Sequence, residues 1–127
     1  MTKRPLSLAE VATRSMDSTT FHLHLAEFLD EFRRERRLGM LADEPRRLAP
    51  TYEGGDVADA YLAAVAVCLA REIQAPPPAW AWDESRKLRR PWFAWPGPAL
   101  RATLLAESPA AFRERNLFVS ANALSRA

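Results

Sequence analysis

Residues 54–75, GGDVADAYLAAVAVCLAREIQA, carry the clearest helical pattern of the chain and decide its fold class. Apolar residues recur at steps of three and four, which is the spacing of one helix face, and the alanines between them allow close packing. The stripe consists of Val57, Tyr61, Val65, Cys68 and Leu69. Asp56 suits the N-cap and Asp59 the first turn, while the prolines at 76–78 end the helix. A central core helix is therefore predicted over residues 56–74.

The N-terminal part of the chain predicts further helices within residues 8–36. Ser7 and Glu10 have the spacing of a capping box, so a short helix should start directly after Ser7. A second, amphipathic helix should begin near Thr19 and stop before Gly39. Its apolar stripe consists of Phe21, Leu25, Phe28, Leu29 and Phe32.

Residues 76–98 form a connector rich in tryptophan and proline. All four tryptophans of the chain fall here: Trp80, Trp82, Trp92 and Trp95. C-terminal helices should follow within residues 98–127, since Pro98 and Ser108-Pro109 are typical helix starts. One more helical turn is expected near residues 44–47. The pattern as a whole predicts a single all-α domain of about five to seven helices.

Composition excludes several classes of protein. A chain of 127 residues is long enough for one cored domain, and 48% hydrophobic residues with 27% charged residues exclude wholesale disorder. The net charge of +2 provides little attraction to nucleic acid. No apolar run approaches the ~20 residues of a membrane span, and no signal peptide follows Met1. The lone Cys68 forms no disulfide within the chain, which predicts a reducing, cytoplasmic setting.

The residues that could carry catalysis or bind metal have simpler explanations. His22 and His24 are two positions apart on a helix and point in different directions, so they do not chelate together. Cys68 lies on the apolar stripe and is expected to act as a small core hydrophobe. Two acidic pairs stand at predicted helix starts: Asp56 with Asp59, and Asp83 with Glu84. No phosphate-binding loop or hydrolase motif occurs. We therefore expect neither an enzyme, nor a cofactor, nor a metal site.

The aromatic connector and the arginines around it allow two interpretations. The tryptophans could pack over the helices as a lid, or they could form a protein-binding surface, since Trp and Arg are common hot-spot anchors. The partner-binding candidates are Trp92, Phe93, Trp95, Arg89, Arg90 and Phe118. The apolar segment Leu117-Phe118-Val119 belongs to the same hypothesis. The arginine groups at 33–37 and 86–90 are interpreted as solvated faces, with an acidic partner surface or phosphate as alternatives.

A DNA-binding alternative rests on the N-terminal residues. The segment from Leu6 to Ala12, followed by Ser15 to His22, resembles the two central helices of a helix-turn-helix reader. The residues facing DNA would then be Ser18, Thr19, Thr20 and His22. No helix precedes the pair, its turn lacks glycine, and acidic residues follow on the second helix, so this regulator function ranks below protein binding.

Three stretches resemble a group of small bacterial helical proteins encoded beside nucleotidyltransferase-like toxins. They are residues 107–127 (ESPAAFRERNLFVSANALSRA), Asp59–Ala66 (DAYLAAVA) and Arg90–Phe93 (RPWF). The resemblance spans roughly residues 40–127. It implies the smaller member of a two-gene module, an antitoxin-like protein that neutralises its toxin by direct binding. The group supplies no functional residues to transfer to this chain.

Overall fold

A computed structural model describes residues 3–125 of the chain. This range contains six α-helices: α1 (Leu8–Arg14), α2 (Ser18–Glu35), α3 (Gly39–Ala42), α4 (Gly55–Glu72), α5 (Arg101–Glu107) and α6 (Ala110–Arg113). Single 3₁₀ turns occupy Ala79–Trp82, Glu84–Arg86 and Pro98–Leu100. The strands β1 (Trp92–Phe93) and β2 (Leu117–Phe118) pair in parallel, with Trp92 opposite Leu117. The predicted all-α single domain is confirmed, and this short strand pair is an addition that the sequence pattern did not indicate.

The N-terminal helices form where the sequence predicts them, and their caps explain why. The Ser7 hydroxyl accepts a hydrogen bond from Glu10 N at 3.1 Å, which caps α1. Asp17 caps α2 by accepting from Thr20 N at 2.8 Å, and the Thr20 hydroxyl accepts from Asp17 N in return. The predicted stripe of α2 is buried along its whole length. These residues are Phe21, Leu25, Phe28, Leu29 and Phe32.

The second helix stops before Gly39, as predicted. Helix α2 ends at Glu35, because Arg36 adopts the left-handed conformation with φ 52° and donates its N–H to Phe32 O. Gly39 opens α3, and the helical turn predicted near residues 44–47 is wrong, since residues 44–48 form no helix, strand or turn. In the connector after α3, the backbone N–H of Leu48 donates to the carboxylate of Asp59 on α4 rather than to a carbonyl nearby in the chain.

Helix α4 is the centre of the core, as predicted. Thirteen of its residues are buried, and its neighbours are α2, α6 and the 3₁₀ turn at Ala79–Trp82. The capping role predicted for Asp59 is wrong. Its carboxylate is buried and accepts hydrogen bonds from Leu48 N at 2.6 Å and Ala49 N at 3.0 Å. Asp59 therefore fastens the connector to α4. The N-cap predicted at Asp56 is also wrong: Gly54 is the N-cap, without a side-chain hydrogen bond, and Asp56 lies in the first turn of the helix.

Replacing Asp59 by alanine should lower the free energy of unfolding by about 2 kcal/mol, because the buried N–H of Leu48 loses its acceptor. The cost is limited because Ala49 is exposed and water can satisfy its N–H. Urea denaturation followed by circular dichroism measures the change. Asp56→Ala, on an exposed carboxylate of the same helix, should cost less than half as much. Equal losses for the two variants would contradict the role of Asp59.

Two arginines are buried in the fold, although nothing in the local sequence separates them from the exposed ones. The Arg86 guanidinium donates to Pro45 O at 2.6 Å, Asp59 O at 3.2 Å and Glu44 Oε2 at 3.2 Å. Arg115 donates to backbone carbonyls of α6 and of the 3₁₀ turn at Ala79–Trp82. The interpretation of Arg86 as part of a solvated basic face is therefore wrong, because the guanidinium is buried and donates to carbonyls of two separate segments, of which that of Pro45 lies outside any helix or strand.

Two of the four tryptophans in the connector at 76–98 pack over the core, and two do not. Trp80 packs against the core, donates its indole N–H to Leu41 O at 3.0 Å and lies 4.8 Å from the guanidinium carbon of Arg86. Trp92 is also half-buried against the core, whereas Trp82 and Trp95 are 45% and 59% exposed. The lid interpretation thus describes Trp80 and Trp92, whereas Trp82 and Trp95 present aromatic surface.

The C-terminal region differs from the prediction in detail. Ser108 does not cap a helix: its hydroxyl accepts from Val119 N at 2.8 Å and lies 2.6 Å from Leu104 O, so it ties α5 to the chain after β2. Helix α6 spans Ala110–Arg113 and ends well before Asn116, whose left-handed φ of 63° turns the chain into β2. Residues 126 and 127 of the predicted C-terminal segment lie outside the described range. None of the described helices is long and apolar enough to span a membrane.

Candidate functional site

The paired strands separate two surfaces. Successive residues of a strand point to opposite sides, so Trp92 and Leu117 face α4 while Phe93 and Phe118 face away from it. Leu117 is fully buried, and the rings of Phe93 and Phe118 stack with their centroids 5.0 Å apart. The predicted partner-binding residues are therefore divided between two surfaces rather than gathered on one.

The first surface, here called the outer apolar face, consists of Phe93, Phe118, Leu100 and Leu105. The guanidinium of Arg101 lies 5.0 Å from the centre of the Phe93 ring, which brings the start of α5 beside the strands. Leu105 is one helical turn beyond Arg101 and lies on the same side of α5. Leu100 and Leu105 are 44% and 48% exposed, although both are large and apolar.

The second surface, here called the Trp92 groove, is formed by three adjoining cavities that share Trp92. A cavity of about 480 Å³ is lined by Trp92 together with Arg89 and Arg90. A cavity of about 220 Å³ lies between Trp92, Tyr61 and His22, and one of about 400 Å³ adds Trp95. The groove thus joins four of the predicted partner-binding residues to His22, a candidate of the DNA-binding alternative.

The aromatic wall of this groove has a defined geometry. The rings of His22 and Tyr61 meet edge to face, with centroids 5.7 Å apart. Burial lowers the pKa of His22 from its ordinary value, and burial raises the pKa of Tyr61 to about 12. Both rings are therefore uncharged at neutral pH. The hydroxyl of Tyr52, on the same wall, is buried and has no hydrogen-bond partner among the described residues.

The DNA-binding candidates all lie near the N-terminal end of α2, but their surroundings differ. Ser18 and Thr19 are exposed, whereas the Thr20 hydroxyl is engaged in the cap with Asp17. His22 lies beside Tyr61, on the groove. The carboxylate of Asp17, whose pKa is lowered by hydrogen bonds from Thr20, adds negative charge at this end. The helix-turn-helix function remains a prediction.

Two of the predicted contact residues are unavailable for binding. Leu117 and Val119 are buried, so the tail segment offers Phe118 alone, because the strand pairing turns its neighbours into the core.

Cys68 is half-buried against the core, and burial raises the pKa of its thiol to about 11, which keeps it protonated. Among residues 3–125, no three side chains of His, Cys, Asp or Glu are grouped as a metal site.

The sequence did not point to Leu100, Leu105, Tyr52 or Tyr61 as surface or groove residues. Leu100, Leu104 and Leu105 have the spacing of an ordinary buried stripe, yet only Leu104 is buried. Tyr61 belongs to the core stripe of α4 and reaches the groove with one edge. No local signal distinguishes these residues, since their exposure depends on where the strands and α5 come to lie.

The fold and these two surfaces define a small helical protein with an exposed apolar face beside a cationic and aromatic groove. Comparison with protein-family models, with curated proteins and with solved structures returned no match.

Proposed function

We infer that the chain is a non-catalytic protein-binding module and that its partner docks on the outer apolar face. The observation that supports this function is the exposure of two large hydrophobic residues of this face, Leu100 and Leu105. Arg101, beside Leu100 in the chain, places its guanidinium carbon 5.0 Å from the centre of the Phe93 ring, which stacks on Phe118. A contiguous apolar patch of this kind is characteristic of a protein–protein interface.

The face also has the composition of an interface. Aromatic residues and arginine are the side chains most enriched at binding hot spots, and here Arg101 lies over Phe93 at the patch edge. The surrounding charges of Arg101 and Glu107 would form a polar rim. A standard interface takes ~800 Å² from each partner, which requires the patch together with that rim.

The resemblance of residues 40–127 supports a narrower proposal for the partner. In this proposal the partner is a nucleotidyltransferase-like toxin encoded by the neighbouring gene, and the chain neutralises it in an antitoxin-like manner by covering its active cleft. Binding in this form needs no catalytic group from the chain. It needs a rigid apolar surface, which the strand pair and α5 would supply.

Leu105→Glu should weaken partner binding by at least ~10-fold, because it places a charge in the centre of an apolar interface. The experiment co-expresses the tagged chain with the product of its neighbouring gene and measures the co-purified ratio at high salt. Leu23→Glu is the matched control, since Leu23 is a comparably exposed leucine on α2, away from the face. A complex that survives Leu105→Glu as well as Leu23→Glu would contradict the assigned face.

The same preparation tests the DNA-binding alternative, which the exposed hydroxyls of Ser18 and Thr19 support. Retention on DNA that declines steeply with salt, without a co-purified protein, would favour the regulator. A stoichiometric complex that persists at high salt would favour the protein-binding module, because apolar interfaces are not weakened by screening of charge. A growth assay of the neighbouring gene product, with and without this chain, then tests neutralisation.

A further inference from the structure

The Trp92 groove combines positive charge with aromatic surface, and the proposed protein-binding face makes no use of that combination. Its first cavity, of about 480 Å³, is lined by Lys87, Arg89 and Arg90 along one side. Trp92 closes this cavity and also lines the two cavities beyond it. Cationic and aromatic side chains therefore line neighbouring cavities that share Trp92.

Two arginine side chains at the cationic end of the groove are available to bind an anion. Arg89 and Arg90 are exposed, and neither guanidinium has an ion pair or hydrogen bond with another residue in the range 3–125. Lys87 lies 2.9 Å from Glu84, so its charge is partly balanced. The buried Asp59 carboxylate is engaged with the backbone of the connector, which leaves Asp56 as the only other acid on the cavity wall.

The aromatic section of the groove offers uncharged ring surface beside a hydrogen-bonding group. Trp92 is half-buried, and the rings of Tyr61 and His22, which meet edge to face, line the same cavity. Tyr52 also lines this section, and its buried hydroxyl has no hydrogen-bond partner among the described residues. Such a section suits a planar heterocycle, which stacks on an indole and takes hydrogen bonds at its edge.

We propose that the Trp92 groove binds a nucleoside phosphate, with the phosphate at Arg89 and Arg90 and the base against Trp92. Guanidinium groups are well matched to phosphate oxygens, and base stacking on an aromatic side chain tolerates any base. The first cavity has the size of an ordinary small-molecule site, which runs from about 300 to 1,000 Å³. The nucleoside phosphate could be free or part of a single strand, because both present the same phosphate and base.

The test titrates the full chain with AMP, with ATP and with an eight-residue oligothymidine, using isothermal calorimetry and amide NMR shifts. Arg89→Gln combined with Arg90→Gln should weaken binding of the tightest probe by at least ~10-fold. Arg71→Gln combined with Arg113→Gln removes two exposed arginines elsewhere and should leave affinity unchanged within twofold. NMR shifts should centre on the indole N–H of Trp92 and on Tyr61.

Trp92→Leu should also weaken binding, and His22→Ala provides a second groove variant should Trp92→Leu fail to fold. Tighter binding of the oligothymidine identifies a single strand as the source, and tighter binding of AMP or ATP identifies a free nucleotide; either supports the site. Failure of all three probes to bind at millimolar concentration would overturn the proposal. Equal weakening by the two arginine pairs would do the same, since it indicates diffuse attraction to charge.

Discussion

Replacing Arg86 by alanine is expected to lower the free energy of unfolding by about 4 kcal/mol, a large fraction of the stability of a domain of this size. The guanidinium is fully buried and donates to the carbonyls of Pro45 and Asp59. Pro45 O loses its donor in the variant, whereas Asp59 O keeps its helical donor inside α4, and the missing side chain leaves a cavity. The pair with Glu44 adds little, because that carboxylate is 48% exposed.

Chemical denaturation of three variants separates these contributions. Arg86→Met refills most of the volume without restoring the donors, so its loss should be about half that of Arg86→Ala. Arg113→Ala removes an exposed arginine and should stay within about 0.5 kcal/mol of the unmodified chain. If Arg86→Ala is as stable as Arg113→Ala, the buried arginine does not hold the connector to α4.

Gly55→Ala should lower the free energy of unfolding by about 3 kcal/mol, although alanine is the better helix former. A Cβ atom at Gly55 would overlap the carbonyl group of Leu48 and lie 2.9 Å from Ala49 N. The Leu48 carbonyl has little freedom to retreat, because it accepts a hydrogen bond from Thr51 N and its own N–H is held by Asp59. The substitution therefore forces the connector away from α4.

Gly39→Ala is the matched control for this prediction. Gly39 is also the first residue of a helix, and an added Cβ there meets no other atom within 4 Å. Its replacement should be neutral or slightly stabilising, because alanine restricts the unfolded chain. Equal thermal unfolding of the two variants would show that the close approach of the connector to α4 is unimportant for stability.

The helices with strong local signals could be predicted from the sequence. The capping residues Ser7 and Asp17 and the apolar stripes of α2 and α4 act over one or two turns, so each is complete within a short segment. Prediction failed for residues whose role depends on a contact with another segment of the chain. Asp59 has the position of a first-turn acid, yet its carboxylate binds backbone eleven residues earlier.

The candidate site shows the same limit. The tryptophans and arginines of the connector were recognisable as unusual, and Trp92, Arg89 and Arg90 do border one groove. Their combination with His22 and Tyr61 was not predictable, because it arises from long-range packing of β1 and the start of α2 around α4. The same strand pairing exposes Phe118 and buries Leu117 and Val119, which have similar apolar character.

Local chemistry was thus sufficient for the all-α class, the central helix and the start of each N-terminal helix, because caps and periodic stripes act between neighbouring residues. The roles of the charged residues depended on the folded chain. Arg86 is buried and Arg89 is exposed, three positions apart, because Arg86 comes to lie beside the carbonyls of Pro45 and Asp59. Those carbonyls are brought there by packing between segments that are 27 and 41 residues from Arg86 in the chain.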